Sequence, residues 1–338
     1  MKTIRKIESR SLILSQNPEA PDETVVMLAL ERRLGRLHAR QRLGIEREHE
    51  ARVFGGGINF FHPENWYASH SLIAGALMVC GLYWRGRRNA GNVQLRTNMI
   101  EAARIPAAFD GFRILHLSDL HADTNESAMS RVFELLGGLE YDLCVLTGDY
   151  RGATSGPFEA TLRGLEPIAR ALRGTAYAVL GNHDSILMVP GLEAMGVRVL
   201  LNEAAQIVRG NDRIHVVGID DAHYFRVDNI EKAAGEIAAS EFAILLSHTP
   251  EVYRQAAHAG FDVMLCGHTH GGQICLPGAI PITLDSVLPR RLGAGAWFYQ
   301  GMTGYTSVGA GTSIVPVRIN CPPEITLHIL RRAAGSAQ

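Results

Sequence analysis

The side chains best suited to chemistry stand where short apolar runs give way to polar residues. Asp119 and His121 close I-L-H-L-S-D-L-H, and Asp149 follows Gly148. Asn182, His183 and Asp184 follow Gly181, His248 follows Ser247, and His268 and His270 lie in G-H-T-H. Carboxylate, imidazole and carboxamide oxygen form a mixed donor set that suits manganese, iron or zinc better than calcium. Two such cations about 3.5–4 Å apart need one bridging carboxylate and leave positions open for water and substrate. Each fragment alone has an ordinary explanation: Gly-Asp is a common turn, and a strand-end histidine is usually a solvated one. Their recurrence at one run after another is what points to a single centre.

The elements that must position them are legible from pattern. Ile114 to Ser118, Leu143 to Thr147, Tyr177 to Leu180, Ile214 to Ile219, Ala243 to Ser247 and Val263 to Cys266 read as strands. Alternate residues of a strand point the same way, so an Asp-x-His pair at its end can aim both side chains at one point. Ala128 to Leu139 and Phe158 to Leu172 have helical character. Strand and helix alternate, so the expected core is α/β, with ligands beyond the carboxyl ends of the strands. This texture begins near residue 104, dividing the chain into an extension (1–103) and a catalytic domain (104–338). No internal repeat is evident.

Within the extension, residues 1–24 are polar and lack the pattern of a secretory signal. From Val25 to Glu50, Met27, Leu30, Leu34 and Leu37 recur at helical spacing among Arg32, Arg33, Arg36, Arg40 and Arg42. That suits a packed amphipathic helix or a basic helix on an anionic membrane. Ala68 to Trp84 is uncharged, preceded by Phe60, Phe61, Trp66 and Tyr67 and followed by Arg85, Arg87 and Arg88. It is short for a membrane span, so a single-span anchor, an interfacial segment and a buried helix all remain open. Membrane contact is the expectation.

A formal charge of -1 and pI near 6.9 give no pull toward nucleic acid. The odd count of five cysteines without a C-x-x-C pair argues for reduced thiols in the cytoplasm, not a disulfide framework or structural zinc. The chain is thus expected peripherally on the inner face of the cytoplasmic membrane. Composition is silent on oligomeric state.

Asp119-x-His121, Gly148-Asp149, Gly181-Asn182-His183-Asp184, His248 and Gly267-His268-Thr269-His270 together resemble the ordered motifs of the calcineurin-like metallophosphoesterases, over about residues 112–330. G-H-T-H-G-G-Q and the segment 307–327 resemble its bacterial, often membrane-associated branch. The resemblance implies a four-layer α/β sandwich of two packed mixed sheets flanked by helices, here with a helical N-terminal extension. It implies two divalent cations, with Asp119, His121 and His270 on one, Asn182, His248 and His268 on the other, and Asp149 bridging. His183 would be the catalytic histidine and Asp184 would orient its ring. Metal-bound hydroxide would attack phosphorus, with no covalent protein nucleophile. Many relatives read G-D-x-x-D, whereas this chain reads Gly148-Asp149-Tyr150-Arg151-Gly152. Arg151 is a candidate grip on a phosphate oxygen.

Leu276 to Gln300, with Trp297, Phe298 and Tyr299, and Asp220 to Phe225 are candidate flaps at the mouth of the site. An apolar and basic extension joined to such a core suggests a lipid phosphodiester, cleaved to diacylglycerol in the manner of a phospholipase C. Alternatives are the UDP-diacylglucosamine pyrophosphate of lipid A synthesis and soluble, including cyclic, nucleotides. A metal-poor scaffold would have lost ligands, and all are present. No G-x-S-x-G elbow supports a serine hydrolase.

Overall fold

The wholly apolar runs Leu143–Leu146, Ala243–Leu246 and Val263–Cys266 have no polar face to offer water, and all are buried central strands. The computed structural model describes residues 22–50 and 67–333. One six-stranded sheet runs β1 (Gln94–Ala102), β14 (Glu324–Arg332), β2 (Arg113–Leu117), β3 (Leu143–Leu146), β4 (Thr175–Ala178), β5 (Val197–Val199). The other runs β12 (Gly295–Tyr299), β13 (Met302–Thr306), β9 (Val263–Cys266), β8 (Ala243–Leu246), β7 (Asp212–Gly218), β6 (Glu203–Arg209). Both are mixed. Strands β2 to β5 pair in parallel while β14 is antiparallel to β2. Strands β7, β8, β9 and β13 are parallel, flanked by antiparallel β6 and β12.

The sheets face each other across Ile114, Val145, Tyr177, Val216, Ile244, Leu265 and Tyr305. The outer face of the first, through Leu115, Leu117, Cys144 and Leu146, packs on α5 (Glu126–Leu136) and α6 (Glu159–Ala171). The outer face of the second, through Leu245, Met264 and Cys266, packs on α8 (Ile230–Ala234) and α9 (Tyr253–His258). This is the expected four-layer sandwich. Trp297, expected in a mobile flap, is instead buried on β12, its indole N–H donating to Thr306 Oγ1 (2.9 Å).

The helical pattern from Val25 to Glu50 resolves into α1 (Glu23–Leu34) and α2 (Arg36–Glu50), broken at Gly35, whose φ of +91° is one that L side chains avoid. Val26, Leu30 and Leu34 of α1 are buried in the core shared with α5 and α6. Arg33 reaches Glu193 (2.7 Å) and Glu203 (2.6 Å), and Arg40 pairs with Glu31. These arginines are spent on the protein's own carboxylates, so of the two expectations the packed helix holds.

The uncharged segment forms α3 (Tyr67–Val79) and, past Gly81, α4 (Tyr83–Ala90). The 13 residues of α3 reach about 20 Å, short of a hydrocarbon core of about 30 Å. Among the described residues no helix is long and apolar enough to cross a membrane. Phe60, Phe61 and Trp66 lie outside the described residues. Strand β1 precedes the boundary expected near residue 104 yet pairs with β14 from Gln94 opposite Glu324 to Ala102 opposite Arg332.

Ile100 of β1 is fully buried between the sheets. Ile100→Ala is therefore expected to cost about 2–5 kcal/mol in chemical denaturation. A change within about 0.5 kcal/mol, typical of surface sites, would place β1 outside the cooperative unit.

Candidate metal centre

Every residue singled out for metal binding follows a central strand: Asp119 and His121 after β2, Asp149 after β3, Asn182 after β4, His248 after β8, His268 and His270 after β9. Three of these strands belong to one sheet and two to the other, so the side chains meet where the two sheets' carboxyl edges converge. The chain must turn sharply there. Asp119, His121, Asp149, His268 and His270 have φ between 41° and 70°, uncommon for residues with a Cβ. Backbone bonds from Asp119 N to Gly148 O (3.0 Å), His121 N to Asp149 O (3.0 Å) and Gly311 N to Asp119 O (2.7 Å) hold these turns. Two glycines leave the room: a Cβ at Gly181 would lie 2.2 Å from Asp149 Oδ1, and one at Gly267 2.3 Å from Asp119 Oδ2.

Donor atoms of Asp119, His121, Asp149 and His270 lie within 4.8 Å of one another, as do those of Asp149, His248 and His268. Asp149 belongs to both groups. His121 Nε2 is 3.2 Å from His270 Nε2, His248 Nε2 is 3.2 Å from His268 Nδ1 and 3.0 Å from Asn182 Oδ1, and Asp149 Oδ2 is 3.2 Å from His248 Nε2. Ligands about 2.1 Å from a shared tetrahedral ion would stand about 3.4 Å apart, so the donors fit a pair of divalent cations. The far nitrogens are engaged where a metal ligand needs them: His121 Nδ1 donates to Arg151 O and His248 Nδ1 to Thr147 O, both at 2.7 Å.

All these groups are buried. Burial raises the Asp119 carboxyl to about 6, helped by Asp149. Burial would raise Asp149 too, but His248, His183 and His121 hold it well below the carboxylate range. Burial and His183 push His121 down to about 4; burial, with His121 and Arg318, pushes His270 far down, and burial, with His223 and His248, does the same to His268. These imidazoles are kept neutral, the form that binds metal. Burial also opposes charge on His248, but Asp149 and Asp119 prevail and raise it to about 10.

Residues 112–272 match the calcineurin-like phosphoesterase family model. Phosphodiesterase YaeI of Escherichia coli (strain K12) is 31% identical over 227 residues, 64% of this chain and 81% of its own. The chain belongs to the calcineurin-like metallophosphoesterases. The uncharacterized metallophosphoesterase YkoQ of Bacillus subtilis (strain 168) is 28% identical over 75% of this chain and 96% of its own. YkuE of the same organism is 29% identical over 77% and 94%. The protein is accordingly a metal-dependent phosphoester hydrolase.

Two expectations for this metallophosphoesterase need correction. Arg151 does not face a substrate phosphate: it is 3% exposed, its Nε donates to His183 O (2.7 Å) and its Nη2 to Thr154 O (3.0 Å). Its guanidinium braces the loop instead. Asp184 does not orient the His183 ring, because its carboxylate accepts from the backbone N–H groups of Asp149 (2.8 Å), Tyr150 (2.8 Å) and Gly181 (2.9 Å). His183 Nδ1 is held by Gly152 O (2.9 Å), and Nε2 lies 3.9 Å from Asp149 Oδ2. The aspartate that many relatives carry would fall at Gly152, where a Cβ would meet Thr124 Cγ2 at 2.2 Å.

Motif reasoning passed over three further residues. Arg42 of α2 is fully buried; it donates to Asp184 O (2.9 Å) and Asp220 Oδ1 (3.3 Å), pairs with Glu46 and lies 3.4 Å over the Phe225 ring. Glu46 in turn accepts from Ile186 N (2.7 Å) and Ser185 Oγ (2.8 Å). Arg318 donates to His270 O (3.1 Å) and to Val308 O (2.7 Å). Asp220 to Phe225 thus serves as a docking loop for α2, while its His223 binds Glu251 (2.8 Å) and its ring lies 4.2 Å from that of His268, tilted by 48°. Arg42 and Glu46 had only an arginine-rich helical face as a signal, and Arg318 only its place in the segment 307–327.

Removing Arg42 would strip Asp220 and Glu46 of their guanidinium, leaving Asp220 only His38 (2.8 Å) beside it. Arg42→Leu is expected to destabilise the protein by about 3–5 kcal/mol, as broken buried pairs do, measured by denaturant unfolding. A shift typical of exposed pairs, below about 1 kcal/mol, would show that the brace is dispensable.

Proposed function

We propose that this enzyme is a dinuclear phosphodiesterase of a membrane lipid, releasing diacylglycerol as a phospholipase C does, with manganese the first choice of metal. One observation carries the lipid reading. A cavity of about 430 Å³ opens beside His270, walled by Leu72, Ile73 and Leu77 of α3 and by Ile274, Ile282 and Val315. Its size is in the range that accommodates small ligands, and its apolar wall suits an acyl chain. Further support comes from α3 and α4: Leu72 is 75%, Val79 91% and Trp84 68% exposed, while Arg87 and Arg88 line a separate polar pocket. Apolar side chains flanked by cations suit an anionic lipid surface, consistent with peripheral attachment to the cytoplasmic membrane.

Asp119, His121 and His270 would hold one ion, and Asn182, His248 and His268 the other, with Asp149 between them. Bound, the two ions would supply an activated water and offset negative charge on the phosphoryl oxygens. His183, with Nδ1 held on Gly152 O, would act as general acid, passing a proton from Nε2 to the oxygen that leaves phosphorus. Asp149 accepts the His183 backbone N–H (3.0 Å), which ties the bridge to the proton donor.

Asp149→Asn should abolish turnover and lower metal content together; full activity would refute the bridge. His183→Ala should lower turnover by about 10²–10⁴-fold with metal content retained, and loss of metal would make it a ligand. For the substrate, protein loaded with manganese, with zinc or with neither is to be given mixed-micelle phospholipids and UDP-diacylglucosamine. Mass identification of diacylglycerol supports the proposal. UMP and diacylglucosamine phosphate would assign the lipid A precursor, and neither product would exclude both lipids.

A further inference from the structure

Two fully buried histidines play no part in the site as described. His116 is on β2 and His328 on β14, and their rings lie between the sheets, that of His328 edge-on to Tyr305 at 4.8 Å. They are links in a continuous series of hydrogen bonds. Asn98 Nδ2 on β1 is 3.1 Å from His328 Nδ1, His328 Nε2 is 3.2 Å from His116 Nδ1, and His116 Nε2 is 2.8 Å from Thr147 Oγ1. Thr147 Oγ1 is 2.7 Å from Ser118 Oγ, which bonds Asp119 Oδ2.

The chemistry of each link fixes the direction of the next. An ionised carboxylate only accepts, so Ser118 must donate to Asp119. Ser118 has one hydrogen, so it accepts from Thr147, whose own hydrogen is thereby used. Thr147 then accepts from His116 Nε2–H. Burial pushes His116 down to about 3 and His328 far down, so both rings are neutral. A neutral His116 must accept at Nδ1 from His328 Nε2–H, and His328 must accept at Nδ1 from the Asn98 amide. Every donor therefore points toward Asp119, and aligned bonds of one polarity strengthen one another.

We propose that Asn98, His328, His116, Thr147 and Ser118 are positioning residues that form a one-way hydrogen-bond chain, running across the sheet to hold the Asp119 carboxylate in its metal-binding orientation. The proposal rests on Asp119 being a ligand. It assigns the edge strand β1 a part in metal affinity. Groups outside the direct ligands commonly alter metal affinity or activity by about 10–100-fold.

The test uses full-length protein loaded with zinc, which is diamagnetic. In ¹⁵N spectra of histidine-labelled protein, His116 and His328 should both be neutral with the proton on Nε2. Thr147→Val keeps the shape but breaks the chain, and is expected to weaken one of the two zinc ions by about 10–100-fold in competition titrations. Thr147→Ser keeps the hydroxyl and should restore wild-type affinity. A proton on Nδ1 of either ring, an imidazolium, or unchanged zinc affinity in Thr147→Val would overturn the chain. Asp119→Ala separates the two readings: if it retains both ions, Asp119 is not a ligand and the proposal falls with that assignment. If Thr147→Val does not fold, the wild-type tautomers still decide.

Discussion

The rest of the structure depends on keeping one carboxylate charged where water is excluded. Asp149 is 1% exposed, and a lone buried carboxylate would take up a proton. Imidazoles from loops of both sheets prevent this, with His248 the nearest at 3.2 Å. Bringing them together demands abrupt turns at strand ends. Five residues carrying side chains adopt left-handed backbone there, at a cost of order 1–3 kcal/mol each. The fold sustains that strain because the loops are tied to one another by backbone bonds and overlaid by glycine.

Buried guanidinium groups form a second tier of support. Arg151 and Arg42 hold the successive carbonyls of His183 and Asp184, and Arg318 holds that of His270. Two of them converge on the loop after β4 and the third holds the loop after β9, each arriving from a different part of the chain. A planar donor with several fixed N–H groups suits the task, because loop carbonyls point in divergent directions. The arginine that looked most like a phosphate contact is therefore part of the framework.

The central strands and the buried cluster of donor side chains were legible because both leave periodic or chemical marks: runs such as Leu143–Leu146 admit few other readings, and Asp, His and Asn recur at their ends. The edges were not. β1 reads Q-L-R-T-N-M-I-E-A, an alternation too polar to mark it as part of the catalytic fold, and its place is settled by pairing with β14, over 220 residues later. Arg151 was misjudged, and the buried role of Arg42 went unseen, for a related reason. Sequence gives an arginine's charge but not whether it meets water, a phosphate or a peptide carbonyl, which tertiary packing alone decides. Asp184 was placed correctly beside the site, yet its acceptors were claimed by backbone donors that no side-chain pattern records.

The direction of β1 has an evolutionary consequence. It runs parallel to β14 and therefore opposite to β2, so the chain enters this sheet at the edge where the metal-binding loops gather. Helix α3 is accordingly placed at the rim of the cleft, where Leu72, Ile73 and Leu77 wall the cavity beside His270. Exchanging α3 would remodel this entrance, whereas α4 is tied to the loop that supports His270, with Arg318 N donating to Gly86 O (2.9 Å) and Asn89 Nδ2 to Arg318 O (3.1 Å). Exchanging α2 would not be so free, since Arg42 and Glu46 reach into the catalytic loops. Change is therefore least constrained on the outer face of α3, where Leu72 is exposed, and most constrained in the second helix.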